Sequence, residues 1–205
     1  MRENLADALR LLLVTDDNLV AGRDIVGLCH AAVRGGATAV QLRLKHTRDG
    51  ELLELARRLV RELEVPLFIN DRVDVAIAAG AAGVHLGPDD LAPALARRIA
   101  PAGFIIGASV GSAGEIERGT AADYWGIGPL HVTTTKGDAG AALEYDGASA
   151  ILAQAGSRPC VVIGGVMPED VGPAVARGFA GVAVVRGILG EGDVEGAARR
   201  YVEAR

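Results

Sequence analysis

Eight short apolar runs alternate with stretches of helical spacing along this 205-residue chain, and that alternation restricts the fold more than any other feature. The sequence predicts strands at Leu11–Thr15, Ala37–Leu42, Leu67–Ile69, Gly83–Leu86, Phe104–Ala108, Tyr124–Ile127, Cys160–Ile163 and Gly181–Val185. Each run is brief and largely continuous, as in strands covered on both faces of a parallel sheet. Between them, segments such as Leu52–Leu63 repeat Leu and Ala at helical spacing. The opposite side of that segment carries Glu54, Arg57, Arg58, Arg61 and Glu62, so it reads as an amphipathic helix lying on a sheet. Gly35-Gly36, Gly80, Gly103, Gly119 and Gly178 fall where helix C-caps are expected, and Asp24, Thr47, Ser112 and Asp193 are candidate N-caps.

Eight β-then-α units in about 200 residues predict one (β/α)8 barrel domain over residues 1–205, at the small end for that fold. An open, doubly wound sheet is the competing arrangement. The count of eight units and the lack of Gly-x-Gly-x-x-Gly after the first run favour the barrel. The longest stretch without a clear pattern, Thr133–Tyr145 after the sixth run, reads as a mobile loop or lid.

Half of the residues are apolar, enough for one large core. A formal charge of −5 without a basic stripe argues against a nucleic-acid partner. Cys29 and Cys160, far apart and each in apolar surroundings, read as buried reduced thiols. No signal peptide is recognisable and no apolar run approaches the ~20 residues of a membrane span, so a soluble, cytoplasmic protein is expected. Oligomeric state is left open.

The polar residues gather at the C-terminal ends of the predicted strands. In a barrel, those ends converge on one mouth. The first strand runs into Asp16-Asp17. The second alternates Gln41, Arg43 and Lys45, which period-two geometry sends the same way. Asn70-Asp71 ends the third, His85 with Asp89-Asp90 the fourth, and Ser109 the fifth. Thr133-Thr134-Thr135-Lys136 follows the sixth, Gly164-Gly165 the seventh, and Val185-Arg186-Gly187 the eighth. Of 21 basic residues only Lys45 and Lys136 are lysine, and both sit in these clusters. Each cluster also has a plain structural explanation as a cap, a turn or a solvated loop, but the coincidence at six strand ends points to a site.

Arg43, Lys45 and Lys136 suit a diphosphate, and Gln41 and Asn70 can hydrogen-bond a polar ring or phosphate oxygens. Asp71 and Asp90 are hard oxygen donors on neighbouring strand ends, a pattern that suits Mg2+ held by two carboxylates plus substrate phosphates. Gly164-Gly165 and Val185-Arg186 lie after strands seven and eight, where barrels commonly bind a phosphate. His85, between Val84 and Leu86, reads mainly as a core residue, and His131 is a weaker candidate acid or base.

The ordered set Gln41-Leu-Arg43-x-Lys45, Asn70-Asp71, Val84-His85-x-Gly87-x-x-Asp90, Gly107-x-Ser109, Gly126-x-Gly128-Pro129, Thr133-x-Thr135-Lys136 and Ile163-Gly164-Gly165 resembles the thiamine-phosphate synthase family across almost the whole chain. The resemblance implies a (β/α)8 enzyme that joins hydroxymethylpyrimidine diphosphate to hydroxyethylthiazole phosphate and releases diphosphate. It assigns Gln41, Arg43, Lys45, Asn70, Ser109 and Lys136 to the pyrimidine diphosphate, with Arg43, Lys45, Ser109 and Lys136 carrying the catalysis. Asp71 and Asp90 would hold Mg2+. Thr133, Thr135, Gly165, Val185 and Arg186 would bind the thiazole phosphate. The implied mechanism is dissociative, with diphosphate leaving before the thiazole nitrogen attacks.

The chain departs from the family pattern at Pro88 (usually Gln), Gly137 (often a second lysine), Ala139–Tyr145 and Arg186 (usually small). A sister family of thiazole tautomerases uses a histidine on the strand-six loop. Pro129 stands in that place here and His131 is offset. A non-catalytic phosphate-binding barrel is the third reading.

Overall fold

All eight apolar runs form strands in the computed structural model, which describes residues 5–132 and 140–205. They are β1 (Leu11–Val14), β2 (Ala39–Leu42), β3 (Leu67–Asn70), β4 (Gly83–Leu86), β5 (Ile105–Val110), β6 (Tyr124–Ile127), β7 (Cys160–Ile163) and β8 (Gly181–Val184). Every strand is parallel to its neighbours in chain order, and β8 returns to β1 through Leu11↔Val182 and Leu13↔Val184. The sheet is a closed barrel. This is the single (β/α)8 fold that the sequence predicts.

Helices α1 (Leu5–Ala8), α2 (Asp17–Val20), α3 (Ile25–Arg34), α4 (Asp49–Glu62), α5 (Val73–Ala79) and α6 (Pro93–Ile99) accompany the first half. The second half carries α7 (Ala113–Gly119), α8 (Glu144–Leu152), α9 (Val171–Ala176), α10 (Arg186–Leu189) and α11 (Val194–Glu203), with a 3-10 turn at Pro168–Asp170.

Two-sided burial explains the unbroken apolar runs. One alternation, including Leu13, Val40, Ile69, Val84, Ile106, Trp125, Val162 and Val182, packs outward under the helices. The other, including Leu12, Ala39, Phe68, Ile105, Tyr124, Val161 and Ala183, fills the barrel interior. Leu5 and Leu9 join the interior set, so the N-terminal helix plugs the floor. Gly181 allows this close approach, because a Cβ there would lie 2.2 Å from the Arg10 carbonyl oxygen. Above the apolar storeys the inward positions turn polar: Gln41, Asn70, His85 and Ser109.

Boundary details differ from expectation for identifiable reasons. Strand β2 begins at Ala39, and just before it the Thr38 hydroxyl accepts from the Leu11 amide and donates to the Ala8 carbonyl, each at 3.0 Å. Gly80 is the left-handed C-cap expected of it (φ 71°). Gly103 also has positive φ, but it lies in a turn beyond the end of α6. Arg48 precedes α4 where Thr47 was expected to cap, and Asp193 does cap α11 through the Gly196 amide at 2.9 Å. Tyr145, read as loop, belongs to α8, and the Leu143 and Glu144 amides bond the Pro129 and Leu130 carbonyls at 2.8 and 3.0 Å. Burial pushes the Cys29 and Cys160 thiols up to about 12, which leaves them inert as nucleophiles.

Candidate active site

A cavity of about 870 Å3 opens at the C-terminal ends of the strands. Gln41, Arg43, Asn70, His85 and Ser109 line one side, and Gly164, Gly165, Val185 and Arg186 line another. Of the sequence-predicted subsite residues, Gln41, Arg43, Asn70, Ser109, Gly165, Val185 and Arg186 thus line one chamber. Thr133, Thr135, Lys136 and Gly137 lie outside the described residues. Pro88 and Arg186, two departures from the family pattern, both face the chamber.

The first two strand ends are knitted by one residue. The Thr15 hydroxyl accepts from the Arg43 amide at 2.8 Å and donates to the Arg43 carbonyl at 3.1 Å. Beside it Asp16, buried, caps α2 through the Asn18 amide and holds Arg43 Nη1 at 3.1 Å. One edge of the guanidinium fork is thus fixed.

Lys45 departs from its expected placement. Strand β2 ends at Leu42, so strict alternation no longer governs Lys45, which lies outside the cavity lining. Its backbone amide is held by Asp17 at 2.9 Å, and its ammonium stands 3.7 Å from the Asp71 carboxylate.

Asp71 follows β3 in the left-handed region (φ 62°), a conformation that aspartate tolerates better than most side chains. Its amide donates to the His85 carbonyl at 2.8 Å, which ties the β3 exit to β4. The Asp71 carboxyl meets that of Asp90. Burial and then the Asp90 carboxylate push the Asp71 pKa up to about 6, against the opposing pull of Lys45 and Arg43. Asp90 is oriented by the Gly87 amide at 2.7 Å. Among the described residues no group of three or more His, Cys, Asp or Glu side chains is arranged to hold a metal.

On the opposite wall, Gly164 (φ 97°) and Gly165 (φ 66°) form a turn packed against the β6 exit. A Cβ on Gly164 would lie 2.5 Å from Pro129 Cβ, and one on Gly165 would lie 2.9 Å from His131 Cβ. His131 is not a cavity residue. Its Nε2 lies 3.1 Å from Asp170 and its Nδ1 3.4 Å from Glu144, and these carboxylates, Asp170 foremost, raise its pKa against the effect of burial. Asp170 in turn accepts from the Met167 amide at 2.8 Å and from the Tyr145 hydroxyl. This cluster clamps the β6 exit to the turn after β7. Tyr201 on α11 braces the same turn through the Val166 carbonyl at 2.9 Å.

Two contributors escaped sequence reasoning. Tyr124, read only as a strand residue, points inward and bonds His85 at 3.0 Å. Glu115 lines the cavity and accepts from the Gly111 amide. Tyr124 was detectable, since it shares an inward alternation with Gly126. Glu115 carried no signal, because it looks like any first-turn helix carboxylate.

The thiamine monophosphate synthase family profile matches residues 11–188. The chain belongs to that family. It is 46% identical over 196 residues to the thiamine-phosphate synthase of Azorhizobium caulinodans, covering 93% of this chain and 92% of that one. The thiamine-phosphate synthase of Methanoculleus marisnigri is 44% identical over 194 residues, with 92% of each chain covered. Among solved structures, a thiamine phosphate pyrophosphorylase from Pyrococcus furiosus superposes with a TM-score of 0.85 at 35% identity, covering 98% of this chain and 97% of its own. A 3-hexulose-6-phosphate synthase structure (TM-score 0.72, 17% identity, 95% and 99% covered) shares the fold alone. As a member of the thiamine monophosphate synthase family, the chain is a transferase of thiamine biosynthesis. No described helix is long and apolar enough to cross a membrane.

Proposed function

We propose that this chain condenses hydroxymethylpyrimidine diphosphate with hydroxyethylthiazole phosphate, giving thiamine phosphate and diphosphate with the help of Mg2+. The observation that carries this reading is the meeting of Asp71, Asp90 and Lys45 beside a chamber lined by Gln41, Arg43, Asn70 and Ser109. Two crowded carboxylates next to a cation suit a hard divalent ion that takes its remaining ligands from diphosphate and water. Burial first, and then the neighbouring Asp90 carboxylate, raise the Asp71 pKa, so added positive charge at this pair would be favoured.

Arg43, Lys45 and Ser109 contact the diphosphate, while Gln41 and Asn70 orient the pyrimidine. Lys136 joins the diphosphate contacts, and Thr133 and Thr135 the thiazole phosphate, on the strength of the family resemblance alone. Gly165, Val185 and Arg186 hold that phosphate after strands seven and eight. When bound, Mg2+ at Asp71 and Asp90 would neutralise charge on the leaving diphosphate. The bond between the pyrimidine methylene and the diphosphate oxygen breaks, and its electron pair leaves with the diphosphate. The thiazole ring nitrogen then supplies the pair for the new carbon–nitrogen bond. That nitrogen carries no proton, so no general base is required. The chain's main contribution is preorganised positive charge at the leaving group, where one donor is typically worth about 10²–10³ in rate.

The tautomerase alternative needs a histidine of the strand-six loop over the substrate. His131 is instead held by Asp170 and Glu144 outside the cavity lining. Purified protein given both phosphorylated half-substrates and Mg2+ is expected to form thiamine phosphate and diphosphate in equal amounts. Binding of both halves without product would support the non-catalytic barrel and overturn the proposal.

A further inference from the structure

Four strands each contribute one side chain to a hydrogen-bonded string inside the barrel. Gln41 on β2 hydrogen-bonds the Tyr124 hydroxyl on β6. That hydroxyl lies 3.0 Å from His85 Nδ1 on β4, and His85 Nε2 lies 3.0 Å from Ser109 Oγ on β5. Tyr124 is wholly buried beneath the chamber, whereas Gln41, His85 and Ser109 line it. The sequence leaves room for this string at two glycines. A Cβ at Gly107 would stand 2.2 Å from Tyr124 Cζ and 2.6 Å from His85 Nδ1, and one at Gly126 would stand 3.1 Å from His85 Cε1.

Proton accounting ties the directions of these bonds to one another. Burial raises the Tyr124 pKa, so the phenol keeps its single hydrogen. With the Gln41 amide N–H facing the phenol oxygen, that hydrogen would go to His85 Nδ1. A neutral imidazole that accepts at Nδ1 carries its proton at Nε2, and in this arrangement it would donate that proton to Ser109 Oγ. The serine's own hydrogen remains, with the chamber before it. Diphosphate oxygens only accept hydrogen bonds, so a serine set as donor is their complement, and accepting from the imidazole polarises it further.

We propose that Tyr124 and His85 are positioning residues that hold Ser109 as a hydrogen-bond donor toward the diphosphate of the substrate. The inference rests on the synthase reading for what Ser109 meets, but not for the string itself. Nitrogen NMR of histidine-labelled protein near neutral pH is expected to show the signal lost in His85→Gln as the Nε2–H tautomer. An Nδ1–H tautomer or an imidazolium there would overturn the proposal whatever the activities of the variants.

Kinetics supply the second arm. Glutamine at position 85 can accept from Tyr124 through its carbonyl and donate to Ser109 through its amide, whereas leucine can do neither. His85→Gln is expected to stay within about threefold of the parent kcat. His85→Leu should lose about 10- to 100-fold, less than a direct donor loss, with the KM for thiazole phosphate unchanged. Equal losses in the two variants would reduce His85 to packing and sink the idea. If the parent protein itself forms no thiamine phosphate, the synthase reading fails instead, and the tautomer still decides the string.

Discussion

The Lys45 ammonium stands 3.7 Å from the Asp71 carboxylate, on the side chain whose pKa is pushed up to about 6 by burial and by Asp90. Lysine attraction and aspartate repulsion therefore act on one carboxyl, and repulsion with burial wins. A carboxylate kept ionised under those conditions destabilises the metal-free fold at neutral pH, because the unfolded chain ionises more easily than the native one. Asp71→Asn is expected to stabilise the metal-free protein by about 1–2 kcal/mol in urea unfolding. The same variant should lose nearly all turnover. A variant that was both active and more stable would show that the Asp71–Asp90 pair has no role in the reaction.

Arg43 divides its fork between Asp16, at 3.1 Å, and the chamber. A lysine has one point charge and cannot serve both directions with fixed geometry. Arg43→Lys should therefore lower kcat/KM for the pyrimidine diphosphate at least about tenfold, the loss of one charge-assisted hydrogen bond. Thermal unfolding should change little. Steady-state kinetics that matched the parent would mean the guanidinium contacts only Asp16.

Gly164 combines positive φ with a site where a Cβ would meet Pro129 at 2.5 Å. Alanine there carries backbone strain of about 1–3 kcal/mol and pushes two loops apart. In a chain of this length the expected fall in Tm is about 3–10 °C. The KM for the thiazole phosphate should rise more than that for the pyrimidine diphosphate. Equal rises would place the turn outside the proposed phosphate subsite.

His131 gains proton affinity from Asp170 first and Glu144 after it, while the Tyr145 ring, itself under Arg177, meets the imidazole edge-on. A raised native pKa means that the imidazolium stabilises the fold fully below the unfolded value of about 6.5. The contribution is lost as pH rises through the higher native pKa. Against His131→Gln, the parent's stability advantage should be greatest near pH 6 and shrink toward pH 9. For so partly exposed a pair it should not exceed about 1 kcal/mol. Urea titrations at several pH values check this, and an advantage that grew with pH would reverse the assignment.

The strands were legible because burial on both faces leaves little room for polar residues within them. For the same reason, each polar residue that did occur near a strand end was informative. Gln41, Arg43, Asn70 and Ser109 were found in this way, and they share one chamber. Lys45 was placed less well, since alternation lapses where β2 ends and the loop geometry depends on Asp17, a partner distant in sequence. His85 was read as a core residue, and it is buried. Its second character, as a link between Tyr124 and Ser109, depends on three strands meeting across the barrel and on the space left by Gly107 and Gly126. No local pattern encodes that meeting.

The plug made by Leu5 and Leu9 has a bearing on turnover. Among the described residues the base of the barrel is closed, so on the proposed synthase reading two reactants and two products would share the threshold at the other end. The guest that settled deepest would then arrive first and depart last, and an excess of the shallower one would shut its partner out.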